Sequence, residues 1–363
     1  MSDSPALKEI FNRDRLQHIA DETWAVYPAF DRNGFMARAS QGLDGLSVMQ
    51  RLNRVSRSLH AGLPEDYASA LEILYALAPR LNSAFVSMTL PEYVALYGQD
   101  DFARSMDALK FFTSFGSSEF AVRHFLRKDF ARAIEVMHGW SLDENPHVRR
   151  LASEGCRPRL PWSFRLENLM VDPTPVLEIL DNLKADDSLY VRKSVANHFN
   201  DITKDNPEWV LDQLEGWSLD NPNSAWIARH ALRSLIKQGN VRALTLMGAG
   251  QKAQVTLDNL NVTPDVINLG DRINLSFTLK STSDKAQRLI VDYAIHYVKK
   301  SGGSSAKVFK LKTFELGAGQ SVNISREQQV RNFTTRVHYA GRHEVDVLIN
   351  GECLGRSGFE LKA

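Results

Sequence analysis

The sequence predicts two domains of opposite class, an all-α solenoid of helical repeats followed by a small all-β sandwich. Three observations carry this. Apolar residues recur at spacings of three and four up to about residue 250. Within that stretch a helix-pair unit repeats. Beyond it the spacing drops to two, with turn residues between short runs.

The helical part begins with segments such as LPEDYASALEILYALAPRL (63–81), where Pro64, Glu65 and Asp66 precede a 3–4 apolar pattern. Four units then follow. They start with DFARSMDALKFF at 101, DFARAIEVMHGW at 129, DPTPVLEIL at 172 and NPEWVLDQL at 206. DFAR recurs verbatim 28 residues apart, and GWSLD at 139–143 returns at 216–220. A pair of helices cannot bury both its faces alone, so such units stack, here as a HEAT-like solenoid. Trp140 and Trp217 close the first helices of their units and read as core.

After LMGAGQKAQ (246–254) the period changes. INLSFTL (273–279), LIVDYAIHY (289–297) and HEVDVLI (343–349) alternate apolar and polar residues, separated by LGD, SGGSS, GAGQ and NGE. These are half-buried strands joined by turns, an immunoglobulin-like sandwich without the antibody cysteine pair. We place the helical domain at 1–252 and the sandwich at 253–363.

Composition limits the function classes. The 363 residues suffice for two domains with real cores, and a net charge of +1 excludes a uniformly basic molecule. A polyanionic partner must therefore be held by local concentrations of positive charge. Cys156 and Cys353 form no disulfide framework and suit a reducing compartment. MSDSPALKEIF reads as no signal peptide, and no apolar run approaches the roughly 20 residues of a membrane span, so a cytoplasmic location is expected. There is no CxxC pair, HExxH, Walker loop or dinucleotide fingerprint, so no cofactor or metal is expected.

The second helices carry cations at a shared register. Arg123 and His124 follow Val122, Arg149 and Arg150 follow Val148, Arg192 and Lys193 follow Val191, and Arg229 and His230 follow Ile227. Equivalent positions of a solenoid line up, so these would form a basic stripe for nucleic acid. The alternative is that the first cation of each pair neutralises an acid of a neighbouring turn, Asp143, Asp186 or Asp220. The third unit starts 43 residues after the second, and the fourth 34 after the third. About nine residues are therefore inserted around CRPRLPWSF (156–164), a segment with Arg157, Arg159 and Trp162 between or beside prolines. In the sandwich, YVKKSGGSSAKVFKLK (297–312) is a glycine-serine hairpin tip flanked by Lys299, Lys300 and Lys307, with Lys310 and Lys312 beyond. Such a tip suits a phosphate backbone or minor groove, although basic hairpins also protect sheet edges.

RRLASEGCRPRLPW (149–162), SVANHFNDITKDNP (194–207) and YPAFDRNGF (27–35) resemble the AlkC branch of the AlkC/AlkD alkylpurine DNA glycosylases, in the subset with a C-terminal immunoglobulin-like domain. The resemblance implies excision of cationic N-alkylated bases, 3-methyladenine and 3-methylcytosine, from double-stranded DNA, without flipping the base into a pocket. It also implies an acidic pocket assembled from successive repeats.

A cationic alkylated base departs neutral without being protonated. The enzyme's work is then to stabilise an oxocarbenium-like sugar and position a water, and carboxylates do both. Three acids lie among the groove cations. Glu119 precedes Val122 at a position where the later units have Asn145, Ser188 and Ser224. Glu154 follows Arg150 by four residues on the same helix face. Asp201 ends the NHFN run. The competing readings are charge complementarity at a helix start for Glu119, a salt bridge to Arg150 or Arg157 for Glu154, and a turn or cap for Asp201. Trp162 could set its π face against the developing positive charge or merely wedge the insertion in place. Arg150, Arg157 and Arg159 would clamp phosphates beside the lesion.

The expected activity is that of a monofunctional glycosylase, acting as a monomer on DNA with alkylated bases. The rival is a non-catalytic HEAT–immunoglobulin binding module for DNA or a protein. Carboxylates among groove cations favour the enzyme, because a pure phosphate-binding groove gains nothing from them.

Overall fold

A computed structural model describes residues 7–332 and 337–362, so the first six residues of the MSDSPALKEIF terminus lie outside the described residues. The helices are α1 (Arg13–Val26), α2 (Arg32–Ser40), α3 (Val48–His60), α4 (Tyr67–Leu77), α5 (Ala84–Ser87), α6 (Thr89–Tyr97), α7 (Phe102–Phe112), α8 (Val122–Lys128), α9 (Phe130–Trp140), α10 (Pro146–Gly155), α11 (Glu167–Val171), α12 (Leu177–Asn182), α13 (Leu189–Ile202), α14 (Pro207–Glu215), α15 (Pro222–Ala231), α16 (Arg233–Lys237) and α17 (Val241–Leu246). No described helix is long and apolar enough to cross a membrane.

The repeat motif has a local cause. In both DFAR copies the aspartate is the N-cap: Asp101 accepts from the Arg104 amide and Asp129 from the Arg132 amide, each at 3.3 Å. Proline opens α10, α14 and α15, where its missing N–H costs nothing. One compact unit takes in the chain through Asn206 together with Trp217–Ala231. In it the second helices stack in order, α10 on α13 and α13 on α15. Their inward apolar residues, Val148, Leu151, Val191, Phe199 and Ile227, are buried. Trp140 is buried too, and Trp217 packs edge-on against Phe199.

The other unit consists of Pro207–Gly216 and the chain from Leu232 onward. Its strands are β1 (Val255–Thr263), β2 (Val266–Asn268), β3 (Arg272–Ser281), β4 (Gln287–Val298), β5 (Ser304–Leu316), β6 (Ser321–Gln329), β7 (Gly341–Ile349) and β8 (Glu352–Lys362). They form a three-stranded sheet, β1-β3-β6, and a five-stranded sheet, β2-β8-β7-β4-β5, antiparallel except for β2 beside β8. The alternating residues of β3, β4 and β7 supply the core, among them Phe277, Tyr293 and Val347. Asn350 and Gly351, both with positive φ, make the tight β7–β8 turn.

β4 is buried on both faces. Its outward Ile290, Asp292 and Ala294 are only 4–6% exposed. The short helices α14, α16 and α17 pack in the same unit as the strands. A close backbone approach marks the join, since a Cβ on Gly351 would lie 2.5 Å from the Gly239 Cα.

Candidate active site

The acids and arginines of 119–204 form one alternating chain. Glu119, in the turn before α8, pairs with Arg150 of α10. Ser117 donates to Glu119 at 2.8 Å and accepts from Arg150 at 2.6 Å. Arg150 Nη2 lies 3.4 Å from Glu154 Oε1, one helical turn on. Arg157 donates to the same oxygen at 2.6 Å and to Asp201 of α13 at 2.8 Å. Ser194 donates to Glu154 Oε2 at 2.6 Å, and Lys204 closes the chain on Asp201 at 2.9 Å. Three carboxyl groups, Glu119, Glu154 and Asp201, thus face two guanidiniums, Arg157 buried and Arg150 mostly so, with the half-exposed Lys204 outside.

Burial opposes the charge of Arg150, but Glu154 and Glu119 outweigh it and hold its pKa above the usual arginine value. Arg157 behaves alike between Glu154 and Asp201. Behind this chain His198 is fully buried, and burial, aided by Arg157, drops its pKa to about 3. The buried Cys156 thiol is pushed up to about 12 by desolvation, which makes it inert.

A cleft of about 350 Å³ opens onto this chain. Glu119, Arg150, Glu154 and Arg157 line its polar side, and Phe120, Leu160, Trp162 and Tyr190 line much of the rest. Trp162 is 63% exposed at the rim, in a left-handed backbone conformation (φ 66°) that tryptophan seldom adopts. Tyr190, on α13, has the Arg150 guanidinium 5.1 Å from its ring centre. Asp201 does not line the cleft. It stands behind Arg157, within α13 and 3% exposed, so it is neither a solvated turn residue nor a cap.

The expected basic stripe requires correction, because most of its arginines are bound within the fold. Arg123 is wholly buried, and its fork donates to the carbonyls of Gly155, Arg157 and Phe164. Arg149 is bidentate to Asp186 and also donates to the Asp143 and Glu144 carbonyls. Arg192 donates to the carbonyls of Asp186 and Asp187. Of these first cations only Arg149 meets an acid of a neighbouring turn, Asp186, as the alternative had it, whereas Arg123 and Arg192 serve the fold through backbone carbonyls instead. Arg157 is 7% exposed and belongs to the acid chain, and Arg159, 22% exposed in its side chain, is bidentate to Asp205. Arg150 faces the cleft but is held by its carboxylates. Lys193, Lys299, Lys300 and Lys307 are exposed. The ammonium of Lys307 lies 5.0 Å from the Phe309 ring centre.

Ser117, Ser194 and Tyr190 escaped the sequence reading. The last two had a signal, since 190, 194 and 201 fall on one face of a helix.

Residues 256–363 match the family model for the C-terminal immunoglobulin-like domain of the uncharacterised protein YhaZ. Over 98% of this chain and 99% of the relative, the chain is 38% identical to the uncharacterised protein YhaZ of Bacillus subtilis (strain 168). It is also similar to Pseudomonas fluorescens alkylpurine DNA glycosylase AlkC, solved bound to DNA containing an abasic site analog. That likeness has 68% identity, a TM-score of 0.97, and coverage of 99% of this chain and 100% of the other. The chain belongs to the AlkC-type alkylpurine DNA glycosylase family, in the form that carries a C-terminal immunoglobulin-like domain.

Proposed function

We propose that this chain is a monofunctional DNA glycosylase that hydrolyses the N-glycosidic bond of cationic N-alkylated bases, 3-methyladenine and 3-methylcytosine, in duplex DNA. One observation carries the reading: three carboxyl groups to two mostly buried guanidiniums beside an open, aromatic-rimmed cleft. Such a site favours positive charge that develops on a sugar.

In the reaction the bond from C1′ to the base nitrogen breaks and its electron pair neutralises the departing base, so no acid is needed. Glu154, anchored by Ser194 and Arg157, stabilises the oxocarbenium-like sugar electrostatically. Glu119 is bound through Oε2, and no partner to its Oε1 occurs among the described residues. We assign Oε1 the attacking water, whose oxygen bonds C1′ while a proton passes to the carboxylate. Asp201 acts through Arg157, and the Trp162 face lies against the sugar. No described lysine lines the cleft, which favours water over a Schiff base as nucleophile. The open cleft suits attack on a base that is not swung into a pocket.

Incubation of the full chain with N-methylated duplex DNA, followed by chromatography of released bases, tests this. Release of 3-methyladenine and 3-methylcytosine without strand cleavage is expected. DNA binding with no base released would leave only a binding module.

A further inference from the structure

We propose that Arg123 is a positioning residue for this reaction. It would hold the 156–164 insertion so that Arg157 and Trp162 keep their places at the cleft. The proposal rests on the base-excision reading above.

Arg123 lies on α8, the second helix of the unit before the one that carries the insertion. It is 0% exposed and makes no ion pair among the described residues. Its Nη1 donates to the carbonyl oxygens of Gly155 at 2.9 Å and Arg157 at 2.6 Å, and its Nη2 to that of Phe164 at 2.5 Å. One planar fork therefore ties both ends of the insertion to one helix. A buried guanidinium answered by carbonyl dipoles and the Phe164 ring, 5.4 Å away, with no carboxylate paired to it among the described residues, is costly to keep, and what it holds gives the reason.

The outer end has a second clasp. The guanidinium of Arg127, one turn along α8, lies 3.3 Å from the Phe164 ring centre, and His124 meets the same ring edge-on. The far flank is fixed by Arg157 to Asp201, near the end of α13, and by Arg159 to Asp205 in the turn after it. Between these ties the loop is irregular, and Trp162 keeps a backbone conformation that survives only where its surroundings dictate it. Without Arg123 the α8 side of the insertion loses its anchor. Arg157 follows, and with it the spacing of Glu154 and Asp201.

The test pairs hydrogen–deuterium exchange of the 156–164 amides with single-turnover base release in the wild type, Arg123→Lys and Arg127→Gln. Lysine keeps the charge but cannot span three carbonyls as a fork does. In Arg123→Lys we expect exchange in 156–164 to accelerate at least 10-fold. The single-turnover rate constant should fall about 10- to 100-fold with full product amplitude, the scale of a misplacement near 1 Å. Arg127→Gln should move both in the same direction by less.

Unchanged exchange, or faster exchange with an unchanged rate constant, overturns the proposal. So does a loss of amplitude alone, which reports only unfolded protein. Should Arg123→Lys fail to fold, Arg127→Gln decides on the same criteria, since its side chain is exposed. A wild-type chain that releases no base overturns the excision reading and this role together, an outcome distinct from a slow variant of an active wild type.

Discussion

Positive charge is concentrated in two regions of this molecule and is used in opposite ways. In the helical repeats, Arg123, Arg149, Arg157, Arg159 and Arg192 are drawn into the fold, each bonded to carboxylates or carbonyls. On the β4–β5 hairpin, Lys299 and Lys300 stand exposed, with no ion pair among the described residues. Residue chemistry follows this division. The guanidinium fork suits fixed, multidentate and partly dry settings, whereas the compact, hydrated ammonium suits a wet surface met by a mobile phosphate. A cluster of arginines is thus weak evidence for a phosphate groove until its acids are located. Here Arg157, with Arg150, neutralises a carboxylate site, and the other arginines tie turns and the insertion into the fold.

The largest effect expected from breaking this contrast is on chemistry. Glu154→Gln keeps the shape and the Ser194 hydrogen bond but removes the charge between Arg150 and Arg157. Single-turnover release of 3-methyladenine should fall by about 10²- to 10³-fold, as on losing one preorganised electrostatic group. Affinity for abasic-site DNA should stay within a few-fold. A rate within threefold of wild type would remove Glu154 from the mechanism.

The arginines predict stability effects instead. Arg149→Met leaves Asp186, whose side chain is 5% exposed, without its bidentate partner. Arg149 itself is 20% exposed, so the usual cost of breaking a buried pair is discounted to about 2 kcal/mol. Urea unfolding should register this while DNA affinity is unchanged. A clear loss of affinity with intact stability would return Arg149 to the binding surface.

His198 sharpens the comparison from within. Its folded pKa, about 3, lies below the ordinary value of 6.5. Between those values the unfolded chain takes a proton that the folded chain refuses. Stability from this group is complete above about pH 6.5 and is lost as pH falls toward 3. Between pH 6.5 and pH 5 the contribution lost is about 2 kcal/mol. His198→Leu should flatten that part of the stability profile, and identical pH slopes in variant and wild type would refute it.

Much of this was legible in the sequence because it follows local rules. DFAR marks helix starts because its aspartate caps the amide three residues on. The insertion emerged from repeat spacing, and Glu119 and Glu154 emerged as acids where other units carry none. What stayed hidden depends on depth and partners, which periodicity does not encode. Val122-Arg123 and Val148-Arg149 look alike in sequence, yet one arginine reaches three carbonyls and the other an aspartate. Asp201 sits in the expected neighbourhood but one layer behind Arg157. Likewise, the apolar faces of α16 and α17 give no sign in sequence that they group with strands.

The smallest expected effect tests the other side of the contrast. Changing both Lys299 and Lys300 to Gln removes two exposed ammoniums at the hairpin and leaves the cleft untouched. If both meet phosphates, affinity for duplex DNA falls about 10-fold at low salt, and the slope of log affinity against log salt drops by about 2, near 0.9 for each lost contact. Thermal stability and the single-turnover rate constant at saturating protein should not move, because neither lysine supports the site or the core. An unchanged salt slope would make these lysines guards of the β5 edge, and the positive charge that holds DNA would then have to be sought elsewhere, with exposed Lys193 on α13 the next residue to change.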